Sequence, residues 1–485
     1  MSGAVRVLVI GGGPAGSTAA TLLAREGLDV TLMEKAVFPR YHIGESLLPA
    51  LLPVLDLLGA REKIDAFGFQ FKGGGHFEWG HESWDVTFGD LPGWEADYSY
   101  QVTRADFDHL LLEHAKSQGV NVMEGVEVKR LGFDGDRPRS AVWASTDRGG
   151  DEREIEFDYL IDASGRAGVM TNRHLRTRRF HETFKNVAVW GYWSGAKKLP
   201  TGPRGAIAIC SVPHGWFWGI PLHDDRLSVG LVTHTTDFKA KRDSGLDLEE
   251  IYRAGIEECP LVADLLSSAE RISPLSVEQD YSYTADRFSG PGYFLSGDAA
   301  CFLDPLLSTG VHLAMYSATL AAACLASTVR GEVTEQAAAD HYDETYRNAY
   351  LRYLLVISNL YQQYQGKESY FWEAQRLTRR DCSDADMKQA FTDIVSGIED
   401  LRDAKVTLEV ALEAVARAHS HMVEVRREPS APAAASTPVG QDELTQARFK
   451  LFNSGKMGFP SPGQVRPPGL YVVTEPRLGL AHQGH

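Results

Sequence analysis

Cysteine is scarce and scattered: Cys210, Cys259, Cys301, Cys324 and Cys382 are the five in 485 residues, and none forms a CxxC pair. That spacing suggests neither a zinc site nor a disulfide framework, and no metal is expected. Positive charge is also in deficit, with 49 Lys and Arg against 65 Asp and Glu, a formal net charge of −16. Phosphate backbones are bound through basic surfaces, which argues against a nucleic-acid partner. Long apolar runs are missing too. The longest mild one, Leu313 to Val329, is interrupted by Tyr316, Ser317, Thr319, Ser327 and Thr328. It reads as a buried helix rather than a membrane span, and no membrane partner is expected. The first residues enter a core strand with no basic region and cleavage site, so the expected compartment is the cytoplasm.

What is present begins at residue 7. VLVIGGGPAGSTAATLLAREGLDVTLMEK reads as an apolar strand, a glycine turn, a helix and a second strand ending near Glu34. This is a dinucleotide-binding unit: Gly11 allows the tight turn, Gly13 lets a pyrophosphate approach the backbone beside Ala15, and Gly16 lets helix and strand pack closely. Glu34 stands where a ribose hydroxyl needs an acceptor, and the flanking strands and Ala-rich helix make the match specific.

With 43% hydrophobic residues the chain can bury a large core, and the expected class is α/β. FDYLIDASG (157–165) and YFLSGDAA (293–300) read as parallel strands returning to the first sheet. Alternating stretches between them predict an antiparallel sheet facing a substrate. The expected organisation is a Rossmann-like FAD-binding domain over 1–331, with the substrate sheet interleaved at about 180–285, a helical substrate-covering region over 332–428, and a Pro/Gly-rich linker and tail over 429–485. The tail is expected to be disordered or draped.

Three segments favour FAD over NAD. Gln101 and Arg104 in QVTRADFDHLLLEHA open a helix facing the ribityl and phosphate region; GVEV (125–128) runs the backbone at Val126 along the adenine; and Asp298 in SGDAA sits between a strand and a helix N-terminus. There is one glycine fingerprint and no second module for a nicotinamide, so the electrons for a flavin are expected from elsewhere.

Over roughly residues 5–380 the chain resembles the aromatic-hydroxylase-like flavoproteins and, within them, the flavin-dependent halogenases. Four stretches carry the narrower resemblance: FPRYHIGESLLP (38–49), FKGGGHFEWG (71–80), GWFWGIP (215–221) and FLDPLLSTGVHLA (302–314). The third carries the WxWxIP signature through Trp216, Trp218, Ile220 and Pro221, and the fourth FxxPxxSxG through Phe302, Pro305, Ser308 and Gly310. The match is closest to the subgroup that chlorinates phenolic or other electron-rich groups attached to carrier proteins.

The resemblance implies FAD, used as FADH2, with chloride as co-substrate, a separate flavin reductase, and an acyl or peptidyl carrier protein bearing the substrate. It implies that hypohalous acid forms inside the protein and is aimed by Lys72, as a chloramine or by a hydrogen bond. Phe71, Phe77 and Trp79 flank this lysine and are expected to favour its neutral form. Trp216 and Trp218, two apart on one strand face, wall the substrate from the flavin. Ser308, Thr309 and Gly310 offer backbone amides to the halide, with Gly310 and Val311 against the flavin. Arg40 and Glu45 belong to a strap over the flavin, and Tyr370, Phe371 and Trp372 line the substrate pocket. Tryptophan halogenases pair their lysine with a glutamate; no motif-placed counterpart is found here, and an activated ring tolerates a weaker electrophile. The alternative is a single-component FAD-dependent aromatic hydroxylase or related reductase of the same fold, which would consume NAD(P)H directly.

Overall fold

The computed structural model describes residues 5–80, 82–88, 98–147, 150–363 and 469–482. Its first sheet is built on Arg6–Ile10, whose Val7, Leu8, Val9 and Ile10 are all buried, as a central parallel strand covered on both faces requires. Tyr159–Asp162 and Asp29–Glu34 flank it, with Tyr293–Leu295 and Asn121–Glu124 outside them, all parallel. FDYLIDASG and YFLSGDAA thus return to the first sheet.

The turn after the first strand leaves no room for a side chain. Gly11 has φ +102°, and a Cβ there would lie 2.3 Å from Ala163 O; one on Gly16 would lie 1.8 Å from Gly11 O. The helix Pro14–Arg25 can therefore start directly above the strand ends.

A nine-stranded sheet forms the second layer, with the long strand Arg178–Ser194 pairing antiparallel to both Ser276–Ala285 and Arg226–His234. It is wider than the 180–285 stretch. Gly74–Trp79, from the lysine-bearing segment, joins it parallel to Ile207–Val212, and Glu82–Thr87 forms its edge. One end of this sheet is therefore supplied by residues that precede the 180–285 stretch.

The helix Gly310–Val329 is long and apolar enough to cross a membrane, yet 89% of its apolar window is buried within the fold. The expected helical region is described only for Glu335–Gln363. The tail corrects the sequence reading in part: Leu470–Val473 and Gly479–His482 form a β-hairpin. Leu480 N donates to Ser327 Oγ at 2.7 Å, and Arg330 joins Glu26 (2.8 Å) to the Leu478 carbonyl (2.8 Å). Tyr471, Val472, Leu478 and Leu480 are buried, so short apolar stretches between prolines and glycines suffice to dock the chain end.

Candidate active site

A cavity of about 460 Å³ opens at the carboxyl ends of the parallel strands, where open α/β sheets bind ligands. Of the residues expected to meet the cofactor or halide, Gly11, Gly13, Ala15, Glu34, Arg40, Glu45, Arg104, Val126, Asp298, Ser308, Thr309, Gly310 and Val311 line it, together with Trp216 and Trp218. Gly16 does not; it is the packing glycine behind the turn. Gln101 departs from expectation. It ends the strand Ser99–Gln101 instead of opening the helix, lies outside the cavity lining, and donates through Nε2 to Gly205 O at 3.2 Å.

The cavity walls carry charge, and two of the cations share one carboxylate. Arg104 holds Asp108 through two 2.8 Å bonds one helical turn away, and its Nη1 donates to Ile43 O, also at 2.8 Å. Arg40 lies 3.1 Å from the same carboxylate. Burial would raise the Asp108 carboxyl, but Arg104, Arg40 and His42 hold it below the usual range. Glu34 accepts from Gly12 N (2.7 Å) and Ala36 N (2.8 Å), which fixes its carboxylate at the end of its strand. Burial raises the Asp298 carboxyl against the pull of Arg166, Arg104 and Arg178.

Two helix starts without a side-chain cap among the described residues face this space. The helix Pro14–Arg25 starts with no side-chain cap, and a Cβ on its N-cap Gly13 would lie 3.2 Å from Arg40 Nη2. The helix Gly310–Val329 is likewise uncapped, and a Cβ on Gly310 would meet nothing within 4 Å. Two bare helix N-termini and a guanidinium around one cavity fit an extended anionic dinucleotide. Ser308, at φ +57°, turns the chain into the second helix start.

Trp216 and Trp218 stand on one face of the strand Gly215–Pro221, their ring centroids 6.1 Å apart. Trp218 Nε1 donates to Ser228 Oγ at 3.2 Å, and its ring fills the space above Gly230, where a Cβ would lie 2.1 Å from the indole. Trp216, 1% exposed, donates to Tyr361 Oη at 3.1 Å. Tyr361 in turn donates to Asp304 Oδ2 (2.6 Å), which also accepts from Asn186 Nδ2 (2.7 Å), while Asp304 Oδ1 caps Leu306 N (3.0 Å). Burial pushes the Asp304 carboxyl up to about 6 against these donors. This network ties the tryptophan wall to the turn ahead of Ser308.

Lys72 lies elsewhere. It is 2% exposed yet does not line the 460 Å³ cavity. Its strand, Gln70–Lys72, pairs with Ser99–Gln101, which pairs on its far side with the 45–47 segment. Across this layer Lys72 Nζ donates to Leu47 O at 2.7 Å. No carboxylate pairs with it among the described residues, and burial lowers its amine to about 7. The aromatic neighbour is Phe88, 5.5 Å from Nζ to the ring centroid. The expected flanking rings go elsewhere: Phe71 stacks on Tyr98, Phe77 on Trp84, and Trp79 meets Tyr361. Successive strand residues point to opposite faces, so Phe71 cannot share the lysine's side.

Tyr370, Phe371 and Trp372 lie outside the described residues. Asp108, Asp304 and Tyr361 were not anticipated. Asp108 had a local signal, four residues after Arg104 on a helix; the other two meet only through the fold.

Comparison with known proteins follows the same lines. The tryptophan halogenase family profile matches residues 6–95 and 90–408. The chain is 44% identical to a tryptophan 2-halogenase of Chondromyces crocatus, over 98% of this chain and 93% of that protein. It is 39% identical to the flavin-dependent halogenase armH3 of Armillaria mellea, over 75% of each. The solved structure of the myxobacterial chondrochloren halogenase CndH, described as a variant of FAD-dependent halogenases, superposes with a TM-score of 0.72 and 35% identity, over 82% of this chain and 91% of that one.

Proposed function

The chain belongs to the tryptophan halogenase family, enzymes that use FADH2 and halide, and from that premise we propose that it chlorinates an electron-rich, phenolic ring in natural-product biosynthesis. The observation that carries this reading is the buried Lys72, held by one backbone carbonyl with no carboxylate partner among the described residues. Burial favours the neutral form of an amine so placed, which presents a lone pair to an electrophilic halogen. Without an anionic helper it suits a ring already activated by oxygen.

Gly11, Gly13, Ala15 and Glu34 hold the dinucleotide end of FAD, Arg40 and Arg104 its phosphate and ribityl region, Val126 the adenine edge, and Asp298 a ribityl hydroxyl. Bound and reduced by a separate reductase, the cofactor supplies the two electrons with which oxygen converts chloride to hypochlorous acid. Backbone amides of the Ser308–Thr309–Gly310 turn hold the halide, Val311 contacts the flavin, and the indoles of Trp216 and Trp218 keep the ring substrate from the oxygen-activating side. Lys72 then aims the halogen.

The tethered form of the substrate is the finer part of the proposal. It draws on the resemblance alone, while the name of the Chondromyces relative points to tryptophan. Flavin reductase, NADH, oxygen and chloride with a panel of free phenols, free tryptophan and phenolic acyl groups on a carrier protein separates these cases by mass. Chlorine-for-hydrogen exchange on a phenol is expected, fastest on the carrier. Turnover of tryptophan with no phenol chlorinated overturns the phenolic reading, and equal rates with free phenols overturn the tether.

A further inference from the structure

Glu45 is 2% exposed and lines the flavin cavity, on the same short segment whose Leu47 carbonyl holds Lys72. Its Oε1 accepts from Tyr192 Oη at 2.7 Å, whereas Oε2 accepts no well-aligned hydrogen bond among the described residues. The Tyr192 hydroxyl lies 3.0 Å from that of Tyr41, and Tyr41 Oη accepts from Trp190 Nε1 at 2.6 Å. An indole nitrogen only donates, so Tyr41 receives from Trp190 and passes its own proton to Tyr192, which donates to Glu45. Every hydrogen in the row points inward. Its outer end, Tyr41, is 56% exposed.

The halogenase reaction needs such a row. FADH2 + O2 + Cl⁻ + H⁺ gives FAD + HOCl + H2O, and HOCl with an aromatic C–H gives C–Cl + H2O. Oxygen is reduced, chloride is oxidised, and one proton per turnover enters from outside on the flavin side. We infer that Glu45 carries this proton into the cavity and that Tyr192 and Tyr41 replace it from solvent. The inference rests on the halogenase assignment and not on the identity of the ring.

The surroundings suit the role. Burial raises the Glu45 carboxyl to about 7, against the opposing pull of Tyr192, Ser228, Arg226 and Arg104, which brings its protonated form within reach near neutrality. Burial and the Glu45 charge keep Tyr192 a neutral hydroxyl, and Arg226 lies over its ring at 5.3 Å. The Tyr41 hydroxyl is raised as well, by burial against the Tyr192 and Trp190 bonds, with Glu45 and Glu278 adding to the rise. Asp298, Glu34, Glu127 and Glu278 are the other carboxyls lining this cavity, with Arg40, Arg104 and Arg166 among its cations; Glu34 is held by Gly12 N and Ala36 N, and Glu278 by Arg166.

Glu45→Gln, Tyr192→Phe and their double variant test the inference, with halide oxidation read by a soluble hypochlorous-acid scavenger so that no ring substrate is needed. Glu45→Gln is expected to slow hypochlorous acid formation roughly 100-fold, within the range for loss of a general acid. Tyr192→Phe is expected to slow it by about 10-fold, and the double variant to fall no further than Glu45→Gln, since both break one path. Because the protonated form is the active one, the wild-type rate should fall as pH rises through about 7, and this alkaline limb should vanish in Glu45→Gln.

Infrared difference spectra of the protein without substrate supply an independent readout. A protonated-carboxyl band should titrate near pH 7, shift in Tyr192→Phe and disappear in Glu45→Gln. FAD affinity in Glu45→Gln is expected to stay within about threefold, because the amide keeps the shape and the Tyr192 bond. Loss of FAD binding in that variant would assign the carboxyl to holding cofactor and overturn the inference. An unchanged rate, an unchanged pH profile, or additive losses in the double variant would do the same. Failure of ring chlorination alone would count only against the proposed substrate.

Discussion

The flavin cavity and the Lys72 enclosure sit on either side of one short segment, residues 45–47, and are built on opposite electrostatic plans. In the cavity, charges are numerous: Arg104 and Arg40 share Asp108, and two bare helix starts await an anion. In the enclosure a single amine meets one carbonyl and an aromatic ring. The first arrangement pairs two cations with one buried carboxylate; in the second, burial alone favours the neutral form of the amine. The contrast teaches that one short segment separates a cavity lined by many charged groups from an enclosure in which burial favours a neutral lysine, the form that accepts an electrophilic halogen in the proposed reaction.

Removing the amine should break the contrast most completely. Lys72→Ala is expected to lower chlorination by roughly 10³-fold, near the middle of the range for loss of an acid–base group, while FAD affinity and oxygen consumption persist. Product mass and oxygen-electrode traces check this. On the cavity side, Asp108→Ala leaves Arg104 and Arg40 without their counter-charge. Loss of one partner of a buried pair costs about 3–5 kcal/mol, which denaturant unfolding will show.

The lysine also leaves a thermodynamic mark. Its folded pKa, about 7, lies below the ordinary lysine value of 10.5, so between those values the unfolded chain binds more protons. Stability relative to Lys72→Met should therefore rise with pH across that window, by up to about 1.4 kcal/mol per pH unit, and level off above it. Gly230→Ala sharpens the comparison at the tryptophan pair lining the cavity, because its methyl would lie 2.1 Å from the Trp218 ring. A loss of about 1–3 kcal/mol is expected, with more oxygen diverted to peroxide per chlorinated product. Arg330→Met, at the hairpin clasp far from both sites, should cost about 1 kcal/mol and leave the ratio of product to peroxide unchanged.

What the sequence made legible was local. Gly11 and Gly16 announce themselves because a turn under a helix excludes a side chain, and Trp216 and Trp218 because two residues apart on a strand share a face. Lys72 was recognisable from its motif, but its aromatic neighbour was not: Phe88 reaches it from the far end of the Glu82–Thr87 strand. Gln101 was misplaced because the strand before the Arg104 helix runs to residue 101, which turns that side chain toward Gly205. The Glu45–Tyr192 and Asp304–Tyr361 contacts join residues 147 and 57 apart, and nothing in either segment announces its partner. The closing hairpin was hidden because its apolar stretches, LYVV and GLAH, are brief and surrounded by proline and glycine.

The most direct test is the protonation state of Lys72 in the folded protein. Carbon-13 labelling at lysine Cε, with the resonance assigned by its loss in Lys72→Ala, gives a titration by NMR. The two-compartment account predicts one lysine with a midpoint near 7, apart from the rest. A lysine at position 72 that titrates with the others near 10.5 would contradict it.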